Sequence, residues 1–238
     1  MAILANALNK SIEETGTTMF RPAYTPTTFG AIAGRDVKVL FDPIRYTPMH
    51  EWHKKHTKEF ENVGQWKRPW YFPKVSEGIE QAVARECLAV RNKVGILDAS
   101  TLGKIDVKGK DALEFLNRVY TNDFTSLTPG RCRYGLMLKE DGMIFDDGVC
   151  ACIDKNHYLI HTTTGGAANV LSWLEMWKQT EWPELEVFLT SVTDVWATAT
   201  ISGPESRKVI SKICSDVDFS DDNFKFMHLK HGTVAGIE

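Results

Sequence analysis

Residues 142–153 read GMIFDDGVCACI, with two adjacent aspartates, Asp146 and Asp147, inside an apolar, β-favouring run. A carboxylate in such a run is costly to bury unless it is paired or hydrogen-bonded, so each needs a structural partner or a chemical task. Neighbouring side chains of a strand point to opposite faces. Asp147 then shares a face with Val149 and Ala151, and Asp146 with Gly148 and Cys150, so only one of the two acids can look into a given pocket. On spacing alone the ordinary account is a turn-proximal pair, one acid capping backbone amides after the KEDG turn at 139–142 and the other solvated.

Other constellations carry weaker signals. In GQWKRPWYFP, residues 64–73, Trp66, Trp70, Tyr71 and Phe72 surround Lys67 and Arg68. Flat rings beside cations can hold a planar ligand, and the plainer account is an aromatic plug packing a long loop onto the core, with Arg68 free to pair with an acid. HTTTGG, residues 161–166, places three hydroxyls before a helix start, where exposed amides attract anions; N-capping by Thr164 is the simpler reading. Cys150 and Cys152 share a strand face and read as small core residues, since no adjacent base is evident. His50, His53 and His56 repeat every third residue, but Lys54, Lys55 and Lys58 surround them; those cations disfavour a divalent ion, so we expect a solvated helix and no metal site.

These groups need elements to position them. With 238 residues, 43% of them hydrophobic and 11% aromatic, the chain can build a packed core. Its 28 basic and 31 acidic residues give a formal charge of −3, which provides no electrostatic ground for nucleic acid or an anionic membrane surface as partner. Five cysteines with no CxxC pair argue against a disulfide framework and against structural zinc, and suit a reducing compartment. Polar residues interrupt the opening segment too early for a signal peptide, and no apolar run is long enough to span a bilayer; the expectation is a cytoplasmic protein.

The first forty-odd residues read as a short helix and a connector, RPAYTPTTFGAIAGRD, rich in Pro, Thr and Gly. Helical spacing predicts a helix over 79–94, then a strand through Ile105 and Val107, a turn at Gly109 and a helix through Leu113, Leu116, Val119 and Tyr120. Residues 132–138, 143–153 and 157–163 read as consecutive strands of an antiparallel meander. A helix from about Gly166, strands in ELEVFLTSV and VWATATIS, a helix opened by Pro204 and a strand-like HGTVAGIE complete an α+β pattern with antiparallel or mixed sheets and packed helices.

The segments FRPAYTPTTFGAIAGR, VGQWKRPWYFP, ECLAVRNKVGILDASTLGKIDVKG, FLNRVYTNDF, GRCRYGLMLKEDGMIFDDGV and TSVTDVWATATISGPESR, in this order, resemble the folate-binding aminomethyltransferase family. They are most similar to its sarcosine oxidase branch, in the C-terminal half of the α subunit. GILDAS and the acid after the hairpin turn recur across the glycine-cleavage T-protein relatives, whereas GQWKRPWY and RCRYGLML with DDG point to the sarcosine branch. The resemblance implies an α+β folate-binding domain over 46–238, incomplete at its C-terminus, with 1–45 as a helix and linker from a preceding domain.

It also implies a task. Such a domain joins the one-carbon unit released by amine oxidation to tetrahydrofolate, giving 5,10-methylenetetrahydrofolate. The family's essential aspartate matches Asp147, which can stabilise a cationic iminium, orient the folate amine or relay its proton. Leu102 and Tyr134 fall at wall positions of the pterin site, and Tyr158, Ile160 and Thr162 at a strand whose alternate residues face the folate; relatives often carry Asn where Thr162 stands. The resemblance further implies that the glutamate-bearing segment and small β-barrel that follow GTVAGI in relatives, and the dinucleotide-binding half that precedes FRPAYTP, lie outside these 238 residues. Flavin and NAD are therefore expected on other parts of a complex with a flavin-bearing β subunit and small subunits. The alternatives are a T-protein-like aminomethyltransferase acting on a lipoyl-bound group, and a noncatalytic module that holds a partner subunit.

Overall fold

The computed structural model describes residues 2–16 and 44–237. The chain divides into two units, Met1–Pro43 and Ile44–Glu238. In the first, α1 (Ala2–Leu8) is followed by α2 (Ile12–Thr15). Ser11 starts α2 through a reciprocal cap: its hydroxyl accepts from Glu14 N at 3.1 Å, and Glu14 Oε2 accepts from Ser11 N at 2.9 Å. The expected connector, and with it FRPAYTPTTFGAIAGR, lies outside the described residues.

The second unit contains β1 (Arg45–Tyr46), α3 (His50–His56), β2 (Phe60–Val63), β3 (Trp66–Pro69), α4 (Ile79–Asn92), β4 (Gly95–Asp98), β5 (Gly103–Lys108), α5 (Ala112–Val119), β6 (Arg131–Leu138), β7 (Ile144–Asp154), β8 (His157–Thr162), α6 (Ala167–Thr180), β9 (Phe188–Ser191), β10 (Ala199–Ser202) and α7 (Ser206–Ile213). A mixed sheet has the order β1-β3-β2, an antiparallel pair joins β10 to β4, and a five-stranded sheet runs β6-β7-β8-β5-β9. The expected meander is its first three strands, and every pairing in it is antiparallel.

Period-2 alternation in β5, β7 and β8 sends Ile105, Val107, Cys150, Cys152, Tyr158 and Ile160 to one face, where Phe115, Leu116 and Val119 of α5 and Val170 and Leu174 of α6 bury them. The turn into α5 depends on Gly109, at φ 136°, where an added Cβ would lie 2.0 Å from the Glu186 carbonyl oxygen.

Three expectations are corrected. HGTVAGIE forms no strand; its tail is a tight antiparallel bridge between Val234 and Ile237, because Ala235 and Gly236 turn the chain with positive φ. Pro204 lies two residues before α7, whose first helical residue is Ser206. The helix holding His50, His53 and His56 is not solvated all round: His50 and His53 are buried while Lys54, Lys55 and the following Lys58 are exposed.

Candidate functional site

The Asp146–Asp147 pair sits on β7 beside a register shift in its pairing with β6, between Met137 and Leu138. Asp146 points to the core side and is 4% exposed. It accepts from the Thr163 hydroxyl at 2.7 Å and from Thr163 N at 3.2 Å, and the same hydroxyl accepts from Gly166 N at 3.1 Å at the start of α6. The acid therefore organises the β8–α6 turn. The KEDG turn is closed instead by Asp141, whose carboxylate accepts from Met143 N at 2.9 Å. Thr163, rather than Thr164, serves the helix start; Thr164 shares a hydrogen bond of 3.0 Å with Thr101 in the β4–β5 loop.

Asp147 faces the other way. It is half-buried, directly across from Leu136, and its Oδ2 accepts from the hydroxyl of Tyr134. That hydrogen bond, together with partial desolvation, holds the Tyr134 phenol above its ordinary pKa, so at neutral pH it is a protonated donor. Strand alternation places Leu136, Val149, Leu159 and His161 on the same face as this pair. His161 Nδ1 contacts the Val149 carbonyl at 3.2 Å, and burial, opposed by that contact, lowers its pKa. Gly148 is required here, because a Cβ would meet the His161 carbonyl oxygen at 1.9 Å.

The remaining sequence-derived positions do not converge on one surface. Tyr158, Ile160 and Thr162 are 2%, 0% and 2% exposed and face the core, opposite Asp147. The physical reason is pairing: Cys152 and Cys150 stand directly across from Tyr158 and Ile160, so the alternate residues that meet the helices are these, and the ones facing Asp147's side are Leu159 and His161. Leu102 is half-buried in the β4–β5 loop. Its carbonyl and that of Ser100 accept from the buried Lys104 ammonium at 2.8 and 3.0 Å. Burial lowers the Lys104 pKa against the pull of Asp194 and Asp98.

Sequence reasoning missed His161, which strand alternation puts with Leu159 on the face opposite Ile160, and a second buried pair. His53 Nε2 lies 2.8 Å from Asp98 Oδ2, and Asp98 Oδ1 accepts from Ser100 N at 3.0 Å. Thr47 approaches the same carboxylate without full hydrogen-bond geometry. Burial raises the Asp98 pKa, but the Thr47, Ser100 and His53 contacts outweigh it and leave the group below its ordinary value. No cluster of three or more potential metal ligands occurs among the described residues, and none of their helices is long and apolar enough to cross a membrane.

The comparisons show that this α+β core has an aminomethyltransferase-like fold. Residues 49–238 match the GCVT N-terminal domain family, and the chain belongs to it. The aminomethyltransferase T of the Bartonella henselae glycine cleavage system has the same fold, with a TM-score of 0.66 at 23% identity over 78% of this chain and 46% of that one. Among named relatives, the sarcosine oxidase subunit alpha of Corynebacterium sp. strain U-96 is 59% identical over 94% of this chain. That of Rhizobium meliloti is 45% identical over 99%. The aminomethyltransferase of Chloroherpeton thalassium is 31% identical over 81% of this chain and 49% of its own length. The chain spans 23% and 24% of the lengths of the two alpha subunits.

Proposed function

We propose that this chain is the tetrahydrofolate-binding, one-carbon-transfer part of a sarcosine-oxidase-type complex, forming 5,10-methylenetetrahydrofolate from the carbon released by amine oxidation. The observation that carries the reading is the Tyr134–Asp147 pair, set on the sheet face away from the helices and bordered by Leu136 and Val149. A directed carboxylate beside apolar walls fits a reduced pterin, whose ring is flat and whose amines carry protons to be accepted. Tetrahydrofolate supplies the amines that take up the one-carbon unit.

In this reading Asp147 lies against the reacting nitrogen, offsets positive charge on the incoming carbon and takes the amine proton, while Tyr134, as a neutral donor, fixes the direction of the carboxylate. Leu102 borders the pterin from the β4–β5 loop. Tyr158, Ile160 and Thr162 support the sheet from beneath. Flavin and NAD chemistry, and contacts with a flavin-bearing subunit, belong to other parts of the complex.

The test compares calorimetric titration of tetrahydrofolate into the chain with the yield of methylenetetrahydrofolate against free formaldehyde in the complete complex. Asp147→Asn is expected to lower folate-coupled transfer by roughly 100-fold or more, leaving amine oxidation intact. Unchanged coupling would refute the assignment.

A further inference from the structure

The aromatic-basic stretch and the histidine helix meet away from the Asp147 face. Between α3 and the sheet of β1, β2 and β3 is a cavity of about 490 Å³, whose walls include Tyr46, His50, Glu51, Lys54, Phe60 and Lys67. Trp66 is buried, with the Arg45 guanidinium 4.0 Å from its ring centroid, while Lys67, its neighbour, turns to the opposite side of the strand and reaches the cavity.

The charges there are unevenly matched. Glu61 pairs with Arg68 at 2.7 Å, and Glu51 pairs with Lys54 at 2.8 Å. Among the described residues Lys67 has no carboxylate within 4.0 Å; its ammonium sits 5.8 Å from the Phe60 ring centroid. His50 is 9% exposed, its ring is flanked by Tyr46 at 4.1 Å and Phe60 at 5.3 Å, and its Nδ1 has no hydrogen-bond partner. Burial, and then the field of Lys54, lowers the His50 pKa. A buried ring nitrogen without a partner leaves hydrogen-bonding capacity unused. The cavity thus combines a surplus of positive charge, an unsatisfied imidazole and two aromatic rings in a volume suited to a small molecule.

We propose that this cavity binds a planar ring carrying a phosphate group, with Lys67 and Lys54 holding the phosphate and the Tyr46 and Phe60 rings bordering the planar part. Glu51 already offsets one lysine, so the walls carry one positive charge in excess, and phosphate suits them because its tetrahedral set of acceptor oxygens can take hydrogen bonds from both ammonium groups at once. The site is separate from the Asp147 face and does not depend on folate chemistry there.

Phenyl phosphate, inorganic phosphate and phenol are titrated into the full chain at low ionic strength, followed by calorimetry. Saturable binding of phenyl phosphate, tighter than either phosphate or phenol, is expected. Lys67→Gln and Lys54→Gln should each weaken it roughly tenfold, the loss of one charge-assisted hydrogen bond, and exposed Lys155→Gln should not; melting curves verify that each variant is folded. Absence of saturable binding, or equal weakening by Lys155→Gln, would overturn the site. Equal affinity for inorganic and phenyl phosphate would overturn the part given to the rings.

Discussion

Asp98 shows how much a single side chain can carry. Its carboxylate is nearly inaccessible and receives His53 and the Ser100 amide, tying α3 to the end of β4. Asp98→Asn is expected to destabilise the chain by about 2–3 kcal/mol near neutral pH, measured by denaturant unfolding. The folded pKa lies below the ordinary carboxylate value, so the stabilisation is fully present above that value and disappears as pH falls through the folded one; the gap between wild type and variant should close as the solution is acidified below the usual carboxylate range. The opposite facing of Asp146 and Asp147 was legible from alternation. The His53–Asp98 pair was not, because 45 residues separate its members and the flanking lysines made the helix read as solvated. Those lysines are exposed, and the three-residue spacing of His50 and His53 was the buried stripe.

Among the elements, the meander was the most legible part, since strict alternation and two short polar turns leave little choice of pairing. The β10–β4 pair was not foreseeable: it joins Ala199 to Asp98 across most of the domain, and only tertiary packing selects that partner. The cap of α6 was misplaced by one residue, because three consecutive threonines offer equal local chemistry and the buried Asp146 selects Thr163. The β7–β8 contact depends on Gly148, so Gly148→Ala is expected to cost about 3 kcal/mol or more, detected as a lowered melting temperature, since the methyl would meet main chain rather than a side chain that can move. Phe115→Ala, at the centre of the α5 contact with the sheet, should cost about 3–5 kcal/mol by the same measurement.

For the molecule as a whole, the order of the sequence words along the chain was the most informative signal, and it led to the family that residues 49–238 match. Composition could not have done so, because its charge and apolar content suit any mixed α+β fold. The packing makes a global prediction through the thiols. Cys87 is exposed, whereas Cys150, Cys152 and Cys214 are buried, and burial raises the pKa of each of those three. An aromatic disulfide reagent should therefore modify Cys87 quickly in the native protein and reach the buried three only on cooperative unfolding. Rapid modification of Cys150 under native conditions would contradict the core described for the sheet. The tether from Asp146 to Thr163 has a consequence of its own. Consecutive residues of a strand share one peptide frame, so fastening one aspartate beneath the sheet also fixes the azimuth at which its neighbour leaves the upper surface, and the upper carboxylate owes its direction in part to an anchor on the opposite face.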